Sequence, residues 1–350
     1  MNLSDPAGFQ CPLSIRDYPR VLMAHGGGGR LMHELIDKLF VPAFGPAGDS
    51  ERHDATPLQA GPRVAVSTDS HVVHPLFFPG GNLGSLAVWG TANDLAMAGA
   101  RPQWLTAGFI LEEGLSMEIL WRVACSMGQA AQAIGMRIVA GDTKVVERGK
   151  ADGLYINTTG LGTLASPAVM GPEAIRPGDA IVLSGDLGRH AVAVMAAREH
   201  LELETPVQSD LAPLWPLVRP LIEAGLDVHA LRDLTRGGLA SALCELAACG
   251  GVGFEIEEDA IHVSDPVMSV CELLGFDPMH AANEGRFVAF LPIEHAERAR
   301  EILRQRPECM HAHIIGRVLE EPPAQVLMHT SMGTRRCLDM LSGEQLPRIC

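Results

Sequence analysis

Arg63-Val64-Ala65-Val66-Ser67-Thr68-Asp69-Ser70 alternates apolar with small polar side chains and then presents an aspartate. Alternation with a period of two marks a half-buried β-strand, so this stretch predicts a strand that carries Asp69 to its end. The theme returns in Met136-Arg137-Ile138-Val139-Ala140-Gly141-Asp142-Thr143-Lys144 and again in Ala180-Ile181-Val182-Leu183-Ser184-Gly185-Asp186-Leu187-Gly188. Helical patterns lie between. Leu83 to Ala98 carries Asn93-Asp94 amid small apolar residues and is stopped by Gly99 and Arg101-Pro102; Met117 to Ile134 is amphipathic and is followed by Gly135. Strands and helices mixed in two similar-sized halves predict a two-domain α+β protein.

The divisions follow from composition. Residues 1–44 read as an N-terminal arm with a glycine-rich segment and a helix, 45–165 as an N-terminal domain, and 166–179, with three prolines, as a linker. Residues 180–330 read as a C-terminal α+β domain, and 331–350 as a flexible tail. In the arm, His25-Gly26-Gly27-Gly28-Gly29-Arg30 forfeits backbone entropy, which a chain tolerates where it must approach a ligand closely. Leu31, Leu35, Ile36, Leu39 and Phe40 follow at helical spacing, so N–H groups around Gly27 and Gly28 could meet a phosphate at a helix start. A flexible linker is the competing reading. The run is not a Walker A loop, because no Lys-Ser/Thr pair closes it.

Composition excludes several functions. With 47% hydrophobic and 20% charged residues the chain can bury a core, and a net charge of −15 argues against nucleic acid and against an anionic membrane surface. Asp5, Gln10, Arg16 and Asp17 leave the first twenty residues without the apolar core of a signal peptide. The most apolar window, Leu83 to Ile110, is interrupted by Asn93, Asp94, Arg101 and Pro102 and cannot span a bilayer. Eight cysteines without a CxxC pair suit free thiols in a reducing, cytoplasmic setting.

Candidate chemistry gathers on carboxylates. Asp69, Asp94, Asp142 and Asp233 each stand beside small residues at the end of an apolar strand or in a helix. Helix caps and turns account for any one of them; four in the same context also suit Mg²⁺ bridging to nucleotide phosphates. Lys144 is either a solvated lysine or a phosphate and proton-transfer group, and Glu284, between Asn283 and Gly285, either a loop carboxylate or a general base. His71, His74, His311 and His313 have no third ligand and read as structural. The sequence closes on Pro347-Arg348-Ile349-Cys350, placing a thiol on a chain end, a position that is mobile unless docked. A prenylation signal is excluded, since its cysteine lies four residues from the end.

Six segments together resemble the HypE family of [NiFe]-hydrogenase maturation proteins. They are Ser67-Thr68-Asp69-Ser70, Pro75-Leu76-Phe77-Phe78-Pro79-Gly80-Gly81, Asn93-Asp94-Leu95-Ala96, Gly141-Asp142-Thr143-Lys144, Arg232-Asp233-Leu234-Thr235-Arg236-Gly237-Gly238 and the final Pro-Arg-Ile-Cys350. The aspartate motifs are shared with the wider aminoimidazole-ribonucleotide-synthetase superfamily, whereas the final cysteine is specific to this branch. His71 stands where the family pattern leads one to expect an aromatic residue. The resemblance implies an ATP-dependent carbamoyl dehydratase in which Cys350 carries a carbamoyl group that is dehydrated to a thiocyanate, the source of cyanide for hydrogenase iron. It implies Cys350, Lys144 and Glu284 as catalytic residues, and ATP held by Asp69, Asp94, Asp142, Thr143, Asp233, Gly27 and Gly28, the aspartates acting through Mg²⁺. It makes 45–165 an ATP-binding and dimerisation domain. Implied partners are the carbamoyltransferase HypF, a HypC–HypD iron scaffold and a second copy of the chain. A superfamily cousin acting on a small free substrate, and a non-catalytic carrier, are the alternatives.

Overall fold

The computed structural model describes residues 29–35, 56–59 and 63–350, apart from 167, 202, 342 and 344–347. Gly27 and Gly28, the arm before residue 29 and part of the tail lie outside the described residues. Of the helix expected after the glycines, Arg30–Leu35 is described, as α1; Ile36, Leu39 and Phe40 lie outside the described residues.

The N-terminal half builds a five-stranded sheet. Its strands are β1 (Thr56–Gln59), β2 (Arg63–His71), β5 (Ala100–Glu112), β6 (Arg137–Val146) and β7 (Leu154–Leu164), and a two-stranded ribbon, β3 (Phe77–Phe78) with β4 (Gly81–Asn82), lies beside it. The order is β1-β2-β7-β5-β6, antiparallel except for the parallel pair β5 and β6. The stretch that opens the sequence argument is therefore β2, with Asp69 opposite Thr158 inside the ladder rather than beyond its end. Likewise Asp142, Thr143 and Lys144 are paired residues of β6, opposite Gly108, Phe109 and Ile110 of β5. Arg101-Pro102 does not separate helix from strand, because β5 begins at Ala100 and contains both.

Helix α2 (Leu83–Met97) covers one face of this sheet. Asn82 caps it reciprocally with Ser85, the capping-box arrangement. Its small apolar residues leave almost no polar face, and a helix apolar all round is buried all round. One side packs on the sheet and on α3 (Met117–Ala133), while Ala96 and Met97 enter a core shared with the C-terminal half. Thus α2 joins the two domains.

The C-terminal half holds a seven-stranded sheet in the order β14-β13-β10-β12-β8-β11-β9. These strands are β8 (Asp179–Leu183), β9 (Ala230–Asp233), β10 (Gly253–Glu257), β11 (Phe287–Pro292), β12 (His313–Leu319), β13 (Val326–His329) and β14 (Arg335–Leu338). Helices α4 (Arg189–Arg198), α5 (Trp215–Glu223), α6 (Gly238–Gly250), α7 (Asp265–Leu274) and α8 (Ile293–Arg304) pack around it. Ser264 is the N-cap of α7. Two expectations about 331–350 are corrected. Residues 335–338 pair with β13, because a strand with a free edge beside it gains a full ladder, and Arg348–Cys350 returns to the protein and docks on residues 72–74.

Candidate active site

Three segments of the C-terminal half and two of the N-terminal half converge on one acidic pocket. Asp69 comes from β2, Asp94 from the last turn of α2, and Asp233 from the end of β9 on the edge of its sheet. Glu284 sits in the loop that leads into β11, and Cys350 arrives from the docked end of the chain. These groups and Arg236 lie within electrostatic range of one another.

The Glu284 loop is fixed from every side. Asp210 Oδ2 accepts from the N–H groups of Glu284 and Gly285 at 3.2 and 2.9 Å. Asn93 Nδ2 donates to the carbonyls of Glu284 (3.2 Å) and Ala212 (3.1 Å), and Asn93 Oδ1 accepts from Leu214 N–H at 2.7 Å. Asn283 receives Gly188 N–H and donates to the Leu234 and Ala281 carbonyls. Position 285 must be glycine: a Cβ there would lie 1.9 Å from the Asp210 carbonyl oxygen.

Glu284 is 3% exposed, and its Oε1 has no hydrogen-bond partner among the described residues. Burial raises its proton affinity well above that of an ordinary carboxyl. Asp233, Asp210 and Asp69 push in the same direction, and Arg236 opposes them. A carboxyl of this kind takes and releases protons at higher pH than a free one, as a general base requires. The Cys350 thiol is pushed up to about 12, again chiefly by burial, with Arg236 pulling down and Glu284, Asp69 and Asp233 pushing up. In this position it is a thiol, not a thiolate. The pKa of the Arg236 guanidinium is raised above its ordinary value, first by Cys350 wherever that thiol is ionised and then by Asp69, Glu284 and Asp94, with burial opposing; beside the protonated thiol the carboxylates act alone.

Arg236, Asn93 and Asp210 had no assigned role in the sequence reading. Arg236 lies within a recognised motif, but which of its residues faces the carboxylates depends on how α6 begins. Gly237 and Gly238 adopt φ values of 78° and 60°, and a Cβ on Gly238 would strike the Met279 and Ala281 carbonyls. His71 fills the slot where an aromatic side chain is expected. Its ring is buried against Gly90 of α2 and 3.3 Å from Thr158 Oγ1, and burial lowers its pKa, so it packs as a neutral ring.

Lys144 does not join this pocket within one chain. Two strands, β7 and β5, separate β6 from β2, a distance across the sheet of about 14 Å at about 4.8 Å per strand. Lys144 is also exposed and in register with Ile110 on the solvent-facing side, whereas Asp69 shares the parity of the buried residues Ala65, Ser67 and His71. Asp142 and Thr143 lie on the same distant strand. Among the described residues no three His, Cys, Asp or Glu side chains form a ready-made metal cluster. Seven described cysteines are free thiols, and no described helix is long and apolar enough to cross a membrane.

Comparison with known proteins accounts for this architecture. Residues 52–164 match the N-terminal domain family, and 176–329 the C-terminal domain family, of AIR synthase related proteins. Those two domains define a class of mixed α/β proteins. Within it, the chain is 47% identical over 341 residues to the carbamoyl dehydratase HypE of Rhodobacter capsulatus, covering 97% of this chain and all of that protein. A solved HypE–HypF complex contains a chain that is 44% identical with a TM-score of 0.82, covering 88% of this chain and 99% of its own. HypE solved in complex with ATP gives 45% identity and a TM-score of 0.80 over 95% of this chain and all of its own. The chain belongs to the HypE family.

Proposed function

We propose that this protein is an ATP-dependent carbamoyl dehydratase that works on its own Cys350, loaded by a HypF-type carbamoyltransferase. The observation that carries the reading is the Cys350 residue docked beside the proton-avid Glu284 in a pocket of carboxylates. The S-carbamoyl group, –S–C(=O)–NH₂, has a poor leaving group in its oxygen. Transfer of the γ-phosphoryl group of ATP to that oxygen, with loss of one N–H proton, gives an imidate phosphate and ADP. Loss of the second N–H proton then expels phosphate and leaves –S–C≡N. Glu284 takes a nitrogen proton, and its buried, carboxylate-rich surroundings give it the affinity to do so. Arg236 neutralises negative charge that builds up beside Cys350.

Nucleotide use fits the donor set. Asp69, Asp94 and Asp233, with Asp142, are hard oxygen donors of the kind that hold Mg²⁺, and the buried Glu284 Oε1 beside them has no hydrogen-bond partner among the described residues. When bound, Mg²⁺ would offset phosphate charge. Asp142, Thr143 and Lys144 complete the site across a homodimer: the face of the N-terminal sheet that carries Lys144 exposes Trp104 and Ile110 of β5, apolar surface that a second copy would cover.

The docked thiol, protonated and half-buried, is poorly suited to attack a carbamoyl donor. Loading therefore takes place with the end of the chain released. Leu341 is anchored by the Arg30 N–H, and the nine residues beyond it can span on the order of 30 Å. Intact mass measured after incubation with a HypF-type transferase and its substrates tests the reading. A carbamoyl adduct on Cys350 that loses one water only with Mg-ATP is expected. An adduct elsewhere, or water loss without ATP, would overturn it.

A further inference from the structure

Two of the contacts that hold the last three residues come from one helix, and both grip the main chain rather than the thiol. His190 and Arg198 both belong to α4. His190 is fully buried, and its Nε2 lies 2.8 Å from the Ile349 carbonyl. A carbonyl only accepts, so Nε2 carries the proton; in the neutral ring that burial favours, Nδ1 then accepts from Ser209 Oγ at 2.8 Å. Arg198 donates from Nη2 to the Arg348 carbonyl at 2.7 Å, and from Nε and Nη2 to the His74 carbonyl at 3.0 and 2.7 Å. It therefore fastens the docked segment to the strand-like stretch at 72–74. That stretch donates Val72 N–H to the Cys350 carbonyl and His74 N–H to the Arg348 carbonyl, at 3.2 and 3.1 Å. Arg348 answers with Nε to the Val72 carbonyl at 3.1 Å and an ion pair to Asp152. Its φ of 55° lies in the left-handed region, so these contacts, not local preference, impose the conformation.

We propose that His190 and Arg198 form a latch: positioning residues that set how much of the time Cys350 spends in the acidic pocket. Both hold carbonyl oxygens of residues 348 and 349, so the thiol stays free to carry a group while the segment is held. The latch works against loading, which needs the segment released, and for dehydration, which needs it docked. The second half of that statement rests on the function proposed above; the first does not.

The test is the rate at which iodoacetamide alkylates Cys350 in the full-length protein, read by peptide mass against exposed Cys337 in the same sample. R198A should raise the Cys350 rate by roughly tenfold, as expected for loss of charge-assisted hydrogen bonds, and leave Cys337 unchanged. R198K, which keeps a cationic donor, should recover part of the protection. H190Q, which keeps a donor near the Nε2 position, should stay closer to wild type than H190A. Pre-carbamoylated R198A should then dehydrate more slowly in a single turnover with Mg-ATP, moving opposite to the alkylation rate. A folding defect would instead raise the rate at fully buried Cys309 along with that at Cys350. A Cys350 rate unchanged in both R198A and H190A overturns the latch, whatever reaction the pocket performs. Protection by the latch with no water loss in the wild type overturns the dehydratase reading and leaves the latch standing.

Discussion

Replacing Glu284 by glutamine should make the protein more stable and less active at once. Glutamine keeps the shape but cannot take a proton. Loss of a positioned general base costs typically 10²–10⁴-fold, about 2.7–5.4 kcal/mol of barrier. The stability change has the opposite sign. The Glu284 carboxyl is raised in the folded protein by burial and by Asp233, Asp210 and Asp69. Below about pH 4.3, the unfolded value, both states hold the proton and the residue is neutral to stability. As pH rises further, the unfolded chain ionises while the folded one keeps its proton. Stability then falls by about 1.4 kcal/mol per pH unit until the folded pKa is reached. E284Q removes that penalty, so its thermal midpoint should exceed wild type at pH 8 and converge with it near pH 4. Paired melts across that range, together with single-turnover water loss from S-carbamoylated protein, provide the assay. A stability difference that does not change with pH, or a wild-type rate of water loss, would refute the reasoning.

Two further outcomes follow from buried groups. Arg286, 1% exposed, is paired with Asp186 and also donates to the Asp186 and Gly285 carbonyls; R286M leaves a largely buried carboxylate without its main partner. About 3–5 kcal/mol should be lost in urea denaturation, and R286M combined with D186L should recover part of it. At pH 8 the docked Cys350 thiol, pushed up to about 12, should be alkylated at least roughly tenfold more slowly than exposed Cys337, and the gap should narrow as pH rises toward that value. Equal rates at pH 8 would show that the thiol is not held where the structure places it.

Much of the fold was legible because it rests on local rules. Alternation in 63–70 gave β2, and the small apolar run at 83–97 gave α2. The reading erred where a neighbouring strand decides the outcome. Asp142 to Lys144 looked like a strand terminus, yet β5 continues alongside to Glu112 and extends the ladder past them. Residues 335–338 looked like tail because four residues, two of them arginine, carry no apolar pattern of their own; the open edge of β13 makes them a strand.

By itself the sequence determined which residues could do chemistry: a set of aspartates, one glutamate between Asn283 and Gly285, and a thiol on the final residue. It also fixed the two α+β halves, since periodicity and turn chemistry act within a few residues. Tertiary structure alone decided which of those groups meet. Asp69, Asp94, Asp233, Glu284 and Cys350 come together from separate segments, while Lys144 is left on the far strand facing outward. It also decided their ionisation, because a carboxyl's proton affinity depends on its burial and on charges brought near it by folding, and neither is a property of the residues beside it in the chain.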